Sequence, residues 1–486
     1  MRIQDKLWDV SNKLRGTLDA NDFKVYVLSF LAYRYISDHN DILNCLEPNE
    51  LISEVSTRLK HEKATDVLPH IFAKLNNIPD IQGCFADLDL SPTKFANSID
   101  LTNERLSSLL ELFANLVLEQ GKDVLGDAYE GLMHMYATRA GKSGGEFYTP
   151  VCVSELLSKI ALSVMPQAQT AYDPTAGAGS LLIEATKQNP NLKLYGQEIN
   201  FKSYNVARLN LFLHGALFDI QLGDTLREPK HLDKRFDLVL SNPPYSVPWD
   251  NKAKELKTDP RFNELLAPAS KGDYSFVQHA LYHLKDKGFA CIVVAPGLLY
   301  RSGAEGKIRE ALMPHFYACI LLPSNLFYGT SIPTSIMVLA KEPCPDVLLI
   351  DATKECELQG QQNILTKDNQ ARILNALLER KSVIDFAALV DKAAFKESGD
   401  STLTPTRFIT RSEPEKSKID IKALNREIMR LHQQSNELRE QIDRDLKALF
   451  PDDFDFDETI APPVANKVLK DAADNDDFPL FKDIDL

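Results

Sequence analysis

Between Thr170 and Ala340 the sequence alternates between short apolar runs and stretches of helical periodicity. Seven runs have strand character: Thr170–Tyr172, Leu192–Gln197, Ile220–Leu222, Phe236–Leu240, Phe289–Ala295, Ala318–Leu322 and Ser335–Ala340. Strands alternating with helices imply a mostly parallel sheet covered on both faces. The pattern therefore predicts an α/β fold with a mostly parallel, seven-stranded sheet. Ligands in such folds bind at the edge formed by the carboxyl ends of the strands.

The flanks have a different texture. Residues 1–140 read as helical, with apolar residues at helical spacing in Phe23 to Tyr33 and in Leu106 to Leu118. A glycine-rich joint, Gly141 to Gly145, leads into the α/β region, residues 141–345. Residues 346–418 are a mixed connecting region. Within 419–450, Ile421, Leu424, Ile428, Leu431, Ser435, Leu438 and Ile442 repeat at gaps of three and four. That is one apolar stripe on a long helix, suited to subunit contact. Residues 451–486 hold eleven acids against three lysines and read as a disordered tail. The tail carries −8 of the net charge of −14, which leaves the rest of the chain close to neutral. A near-neutral chain has little phosphate affinity of its own.

Phe316 to Ala340 has no charge for 25 residues, but Pro323, Asn325, Gly329 and Pro333 interrupt it. Two buried strands and a turn explain it better than a membrane span. The start, Met1 to Lys6, is charged and lacks a signal-type apolar core. The seven cysteines form no Cys-x-x-Cys pair, and no histidine lies at zinc-site spacing from them. A cytoplasmic chain with reduced thiols and no metal site is expected.

Two motifs carry chemistry. Tyr172-Asp-Pro-Thr-Ala-Gly-Ala-Gly-Ser180 follows a strand and opens a helix. Gly177 and Gly179 let backbone approach a ligand, and the helix start offers free N–H groups. A dinucleotide fingerprint would need glycine at 182, where Leu182 stands. Glu198, 19 residues beyond Gly179, ends the next strand, near the distance at which an acid binds ribose hydroxyls. Asp224 ends the strand after that.

The second motif, Ser241-Asn-Pro-Pro-Tyr-Ser246, ends the strand Phe236–Leu240. An exocyclic amine on an aromatic base is a poor nucleophile. It needs acceptors for both N–H bonds so that its nitrogen can pyramidalise and attack. Asn242 offers a side-chain oxygen, Pro243 a backbone carbonyl, and Tyr245 a face on which a flipped base stacks.

Together, Asp173-Pro-x-x-Gly-x-Gly and Asn242-Pro-Pro-Tyr resemble the S-adenosylmethionine-dependent amino methyltransferases that act on adenine N6 or cytosine N4, with the motifs in gamma order. Gly145-Glu-Phe-Tyr-Thr-Pro150 resembles the segment closing over the methionine end of the cofactor. The block from Leu7 to Leu28, with Leu125-Gly-Asp-Ala-Tyr-Glu130, resembles the modification subunit of type I restriction–modification systems. The loop departs from the family at Ser180, where a second glycine is more usual; a small serine there can cap the helix.

The resemblance implies a Rossmann-like catalytic domain using S-adenosylmethionine. Phe147, Tyr148, Thr149 and Pro150 would line its methionine part. Asp173, Thr175, Gly177 and Gly179 would form the loop beneath, Glu198 would bind the ribose and Asp224 the adenine edge. Asn242, Pro243, Pro244 and Tyr245 would hold and activate the base. The implied partners are DNA and a specificity subunit clasped by the 421–449 helix. A second copy of the chain and an ATP-dependent restriction subunit are further partners that the family allows. Two other readings remain open: a methyltransferase acting on protein glutamine or RNA guanine, and a non-catalytic cofactor-binding scaffold.

Two look-alikes carry less. Ala140-Gly-Lys-Ser143 lacks the first glycine of a phosphate loop, since Tyr136 stands there. Cys344, in Pro343-Cys-Pro345, resembles the nucleophile of cytosine-C5 methyltransferases but falls far from the fourth strand, where that group belongs. None of the ten histidines is assigned a catalytic role.

Overall fold

The computed structural model describes residues 20–86, 88–91, 98–116, 149–250, 256, 258–263, 265–327, 331–360, 362–398, 401–412 and 421–449. The chain divides into two units, residues 1–412 and 413–486. The first begins with helices α1 (Ala20–Asp38), α2 (Ile52–Arg58), α3 (Ala64–Leu75) and α4 (Ile99–Ala114). In α1, Tyr26 to Leu28, Phe30 to Tyr33 and Ile36 are all buried, so the central turns of this helix are enclosed on every side. Phe30 packs its ring on Phe72 and Phe113 at 5.4 and 5.9 Å, drawing α1, α3 and α4 into one core.

The α/β part follows. Its strands are β1 (Thr170–Asp173), β2 (Lys193–Glu198), β3 (Leu217–Leu222), β4 (Phe236–Ser241), β5 (Leu284–Val294), β6 (Phe316–Leu321), β7 (Ser335–Ala340), β8 (Asp346–Asp351) and, after the hairpin β9 (Glu357–Gln359) and β10 (Gln362–Ile364), β11 (Ala387–Asp391). The sheet order is β11-β8-β6-β7-β5-β4-β1-β2-β3. β7 runs antiparallel to β5 and β6, β11 antiparallel to β8, and the remaining pairs are parallel.

All seven anticipated strands are present, but the sheet has nine. The two additions, β8 and β11, come from the region that the sequence left as mixed. Val347 to Ile350 is a run of four apolar residues, too short for periodicity to separate strand from buried helix. β11 begins Ala387-Ala-Leu, which local propensity favours in helices. Each joins the sheet through pairing with a strand distant in sequence, which no local signal encodes.

Both faces are covered by α5 (Val151–Val164), α6 (Ser180–Gln188), α7 (Phe201–Leu213), α8 (Asp273–Tyr282), α9 (Ala304–Leu312) and α10 (Lys367–Glu379). Strand residues alternate between two cores: Leu238, Leu240, Cys291 and Val293 on one side, Val239, Ala290, Ile292 and Val294 on the other. Helix α7 joins the helical part to the sheet. Its Leu209, Phe212 and Leu213 belong to the N-terminal core, and buried Arg208 donates to the carbonyls of Gln82 (2.8 Å) and Asp80 (3.0 Å). Of the second unit, the structure describes helix α11 (Ile421–Leu449). No described helix is long and apolar enough to cross a membrane.

Candidate functional site

Parallel pairing puts the carboxyl ends of β1, β2, β3 and β4 on one edge. Asp173 ends β1, Glu198 ends β2, and Asp224 follows β3 by two residues. The three acids therefore do share an edge, and Asn242 follows β4 beside them. Register explains this: Asp173 lies opposite Gly196 and Glu198 opposite Leu222.

The glycine loop is shaped by two left-handed residues, Gly177 at φ 54° and Gly179 at φ 81°. A side chain at either is strained by the backbone alone. Above Gly177 the space is open: an added Cβ would meet only the Thr175 carbonyl, at 3.9 Å. Helix α6 starts at Ser180 with Gly179 as its cap and no side-chain capping bond, so Ser180 is the first helical residue rather than the cap. The Gly177 N–H donates to Glu198 Oε2 at 2.8 Å, and the Asn200 N–H to Oε1 at 2.8 Å. A carboxylate has about four lone-pair sites, so both oxygens can still accept a ligand hydroxyl. Asp224 Oδ1 receives the N–H groups of Leu226 (2.9 Å) and Arg227 (3.2 Å), which closes the turn after β3.

Asp173 is 2% exposed. Burial pushes its carboxyl up to about 7; the bonds from Thr175 oppose the rise, and the charge of Glu198 adds to it. The Thr175 N–H donates to Asp173 Oδ1 at 2.9 Å, and its hydroxyl lies 2.9 Å from the Ser241 hydroxyl. Thr175 thus links the glycine loop to the residue that precedes Asn242.

At Asn242, Nδ2 donates to the Thr149 hydroxyl at 2.9 Å, and Oδ1 accepts the Tyr245 hydroxyl at 2.8 Å. The two hydroxyls bracket the amide, whose oxygen faces Tyr245. Pro243 and Pro150 are buried; Thr149, Asn242, Pro244 and Tyr245 are half-buried. Ser246, in a left-handed conformation, hands its N–H to Asp273 Oδ1 at 3.0 Å. Phe147 and Tyr148 lie outside the described residues, as do Gly141 to Gly145 and Leu125 to Glu130.

Sequence reasoning missed a buried strut behind the site. Arg261 donates to the carbonyls of Thr225 (2.8 Å) and Leu226 (2.7 Å), just past Asp224, and to both oxygens of Asp259. It also donates to His279 Nδ1 at 2.9 Å. An arginine cannot accept, so the His279 proton sits on Nε2 and is given to the Tyr172 hydroxyl at 3.0 Å. Burial first, then the neighbouring His283 and Arg261, hold His279 neutral. These residues are scattered from 172 to 279, with no spacing to betray them. Two other missed residues, Ile199 and Phe201, follow Glu198 directly and are exposed. An apolar pair left in water beside a ligand edge was a readable signal.

Of the two look-alikes, Ala140 to Ser143 lie outside the described residues, and Cys344 falls elsewhere. Cys344 lies between the end of β7 and the start of β8, at the edge opposite Asn242; its thiol donates to the Phe316 carbonyl at 3.3 Å and receives Lys392 Nζ at 3.0 Å. All seven cysteines are free, and no metal-type cluster occurs among the described residues.

A family model described as N-6 DNA Methylase matches residues 120–417, and one described as HsdM N-terminal domain matches residues 3–43. The chain is 34% identical to the type I restriction enzyme MpnII methylase subunit of Mycoplasma pneumoniae, over 93% of this chain and 97% of that one. It is 26% identical to the MjaIX methylase subunit of Methanocaldococcus jannaschii, over 92% and 91%. A crystal structure of the type I restriction–modification methyltransferase subunit from Streptococcus thermophilus matches with a TM-score of 0.77 and 32% identity, covering 84% of this chain and 99% of that one. The chain belongs to the N-6 DNA methylase family, among the methylase subunits of type I restriction enzymes.

Proposed function

We propose that this chain transfers a methyl group from S-adenosylmethionine to adenine N6 in DNA, as the modification subunit of a type I restriction–modification complex. The observation that carries the reading is the Asn242 amide, bracketed by Thr149 and Tyr245, at the same sheet edge as three acids and an open glycine loop. The donors and acceptors suit the cofactor: Glu198 and Asp224 offer oxygens to ribose hydroxyls and the adenine edge, Asp173, Thr175, Gly177 and Gly179 form the floor, and Phe147, Tyr148, Thr149 and Pro150 would close over the methionine end. Ile199, exposed beside Glu198, offers an apolar face to an adenine ring.

S-adenosylmethionine supplies the methyl group when bound. The protein's own work is on the amine. Asn242 Oδ1 and the Pro243 carbonyl accept the two N6–H bonds and draw the lone pair out of conjugation. Tyr245 stacks on the flipped base, and Pro244 keeps the loop stiff. No matched general base is required before attack, because the proton leaves once nitrogen is positively charged.

Sequence choice is assigned to a separate specificity subunit, held by α11. Along that helix every described side chain from 425 to 442 is exposed, including Ile428, Leu431, Leu438 and Ile442 of the stripe. Family membership speaks against the glutamine, RNA and scaffold readings. Methylation of DNA with labelled cofactor, with and without the specificity subunit, tests the proposal. Efficient site-specific methylation by the isolated chain would overturn the division of labour, and none by the assembled complex would overturn the activity.

A further inference from the structure

Beside the catalytic loop, the sheet edge carries a built structure that the chemistry above does not use. β5 runs parallel to β4 with Ser241 opposite Ile292, so the chain leaving β5 emerges next to Asn242. It forms a 3-10 turn, Pro296–Leu299, and then Tyr300. Gly297, Leu298 and Leu299 are buried. The turn is pinned from below. The Tyr274 hydroxyl and Arg309 Nη1 both donate to the Leu298 carbonyl, at 2.7 and 3.0 Å. Arg309, itself 2% exposed, also donates to the Arg301 carbonyl at 2.8 Å. The Leu403 N–H donates to the Leu299 carbonyl at 2.8 Å. Arg301 lies against Gly297, where an added Cβ would come within 2.4 Å of its guanidinium.

On this pedestal Tyr300 is 57% exposed. Among the described residues the other exposed aromatic ring is Phe201, 45% exposed, at the start of α7. Phe201 follows β2, on the cofactor side of β4; Tyr300 follows β5, on the other side. An aromatic ring held in water by a rigid turn gives up the burial that usually draws such rings inside. With only two side-chain torsions, it loses little freedom when something covers it.

We infer that Tyr300 stacks on DNA bases next to the extruded adenine; the inference rests on the methyltransferase reading above. With the cofactor spread over β1 to β3 and the target base at Asn242, the duplex approaches from the β5 side. Extruding a base leaves its neighbours without a stacking partner. A ring face suits any base, because every base has a π-face. That tolerance fits a subunit that does not choose the sequence.

The test uses the full chain assembled with its specificity subunit, with turnover followed on DNA carrying adenine at the target position and base extrusion followed on the same DNA carrying 2-aminopurine there. Tyr300→Ala is expected to raise KM for DNA between about 5- and 150-fold, the loss of one stacking contact, and to dim the flipped-base fluorescence. Tyr300→Phe should stay close to wild type, whereas Tyr300→Leu, bulky but without a ring face, should behave like Ala. Cofactor affinity should be unchanged in all three, and so should the salt dependence of DNA binding, because the ring carries no charge. Wild-type KM and fluorescence in Tyr300→Ala or in Tyr300→Leu would overturn the inference. A wild-type complex that methylates no DNA would overturn the proposed function instead.

Discussion

The Tyr245 hydroxyl donates to Asn242 Oδ1 across 2.8 Å and uses one of the two lone pairs of that oxygen, leaving the other open to a ligand N–H. Tyr245→Phe, which keeps the ring and loses only this bond, should methylate close to wild type. Tyr245→Ala should lose about 5- to 150-fold in kcat/KM with the stacking face. Asn242→Ala should abolish methylation while calorimetry shows cofactor binding largely kept. Unchanged modification by Asn242→Ala in the assembled complex would sink the catalytic assignment.

Thr149 fixes the other end of the same amide, accepting from Nδ2 at 2.9 Å. Thr149→Ser keeps the hydroxyl and should retain kcat. Thr149→Ala leaves the amide free to turn its nitrogen toward the base, and kcat should fall about tenfold, the worth of one ordinary hydrogen bond. Single-turnover rates at saturating cofactor would separate this from weaker cofactor binding.

Asp173 predicts a pH dependence. Burial raises its carboxyl to about 7, above the unfolded value near 4. Such a group adds stability in its protonated form. That contribution is whole below about pH 4 and is lost as pH rises through about 7. Asp173→Asn is neutral throughout. Without cofactor, its melting temperature should gain on wild type from about pH 4 to about pH 7 and level off above, while its cofactor affinity falls. Parallel melting curves across that range would refute the assignment.

Arg261 is 4% exposed and holds Asp259, His279 and two carbonyls together. Arg261→Met removes the side-chain donors from His279 and the two carbonyls and leaves Asp259 with the backbone N–H of residue 261. Denaturant unfolding should show a loss of about 3–5 kcal/mol, as for other broken buried pairs. Cofactor binding should weaken in the surviving folded fraction, because the clamped carbonyls of Thr225 and Leu226 follow Asp224 directly.

On α11, Leu431 and Leu438 are exposed at 54% and 60%. Leu431→Asp with Leu438→Asp should abolish co-purification with the specificity subunit and leave cofactor affinity intact. Persistence of the complex in gel filtration would move the subunit contact elsewhere.

Much of the catalytic edge was legible from local sequence. Asp173, Glu198, Asp224 and Asn242 are each tied to the end of a strand, and a parallel sheet brings strand ends to one edge whatever the helices between them do. Ser180 was misjudged because whether a residue caps or begins a helix depends on backbone angles, here those of Gly179. Arg261, His279 and Tyr172 could not have been grouped, since nothing in a linear sequence brings 172, 261 and 279 together.

The sequence by itself determined the alternation of strands and helices, the turn chemistry of the glycine loop and the stiff Asn-Pro-Pro-Tyr segment. These are encoded by side-chain periodicity and by glycine and proline, which act on their own backbone. The tertiary structure alone decided that β8 and β11 extend the sheet to nine strands, that Thr149 and Tyr245 bracket the Asn242 amide, and that Tyr300 stands exposed past the end of β5. Those outcomes depend on hydrogen bonds and packing between segments far apart in the chain, whose partners are chosen only when the core closes.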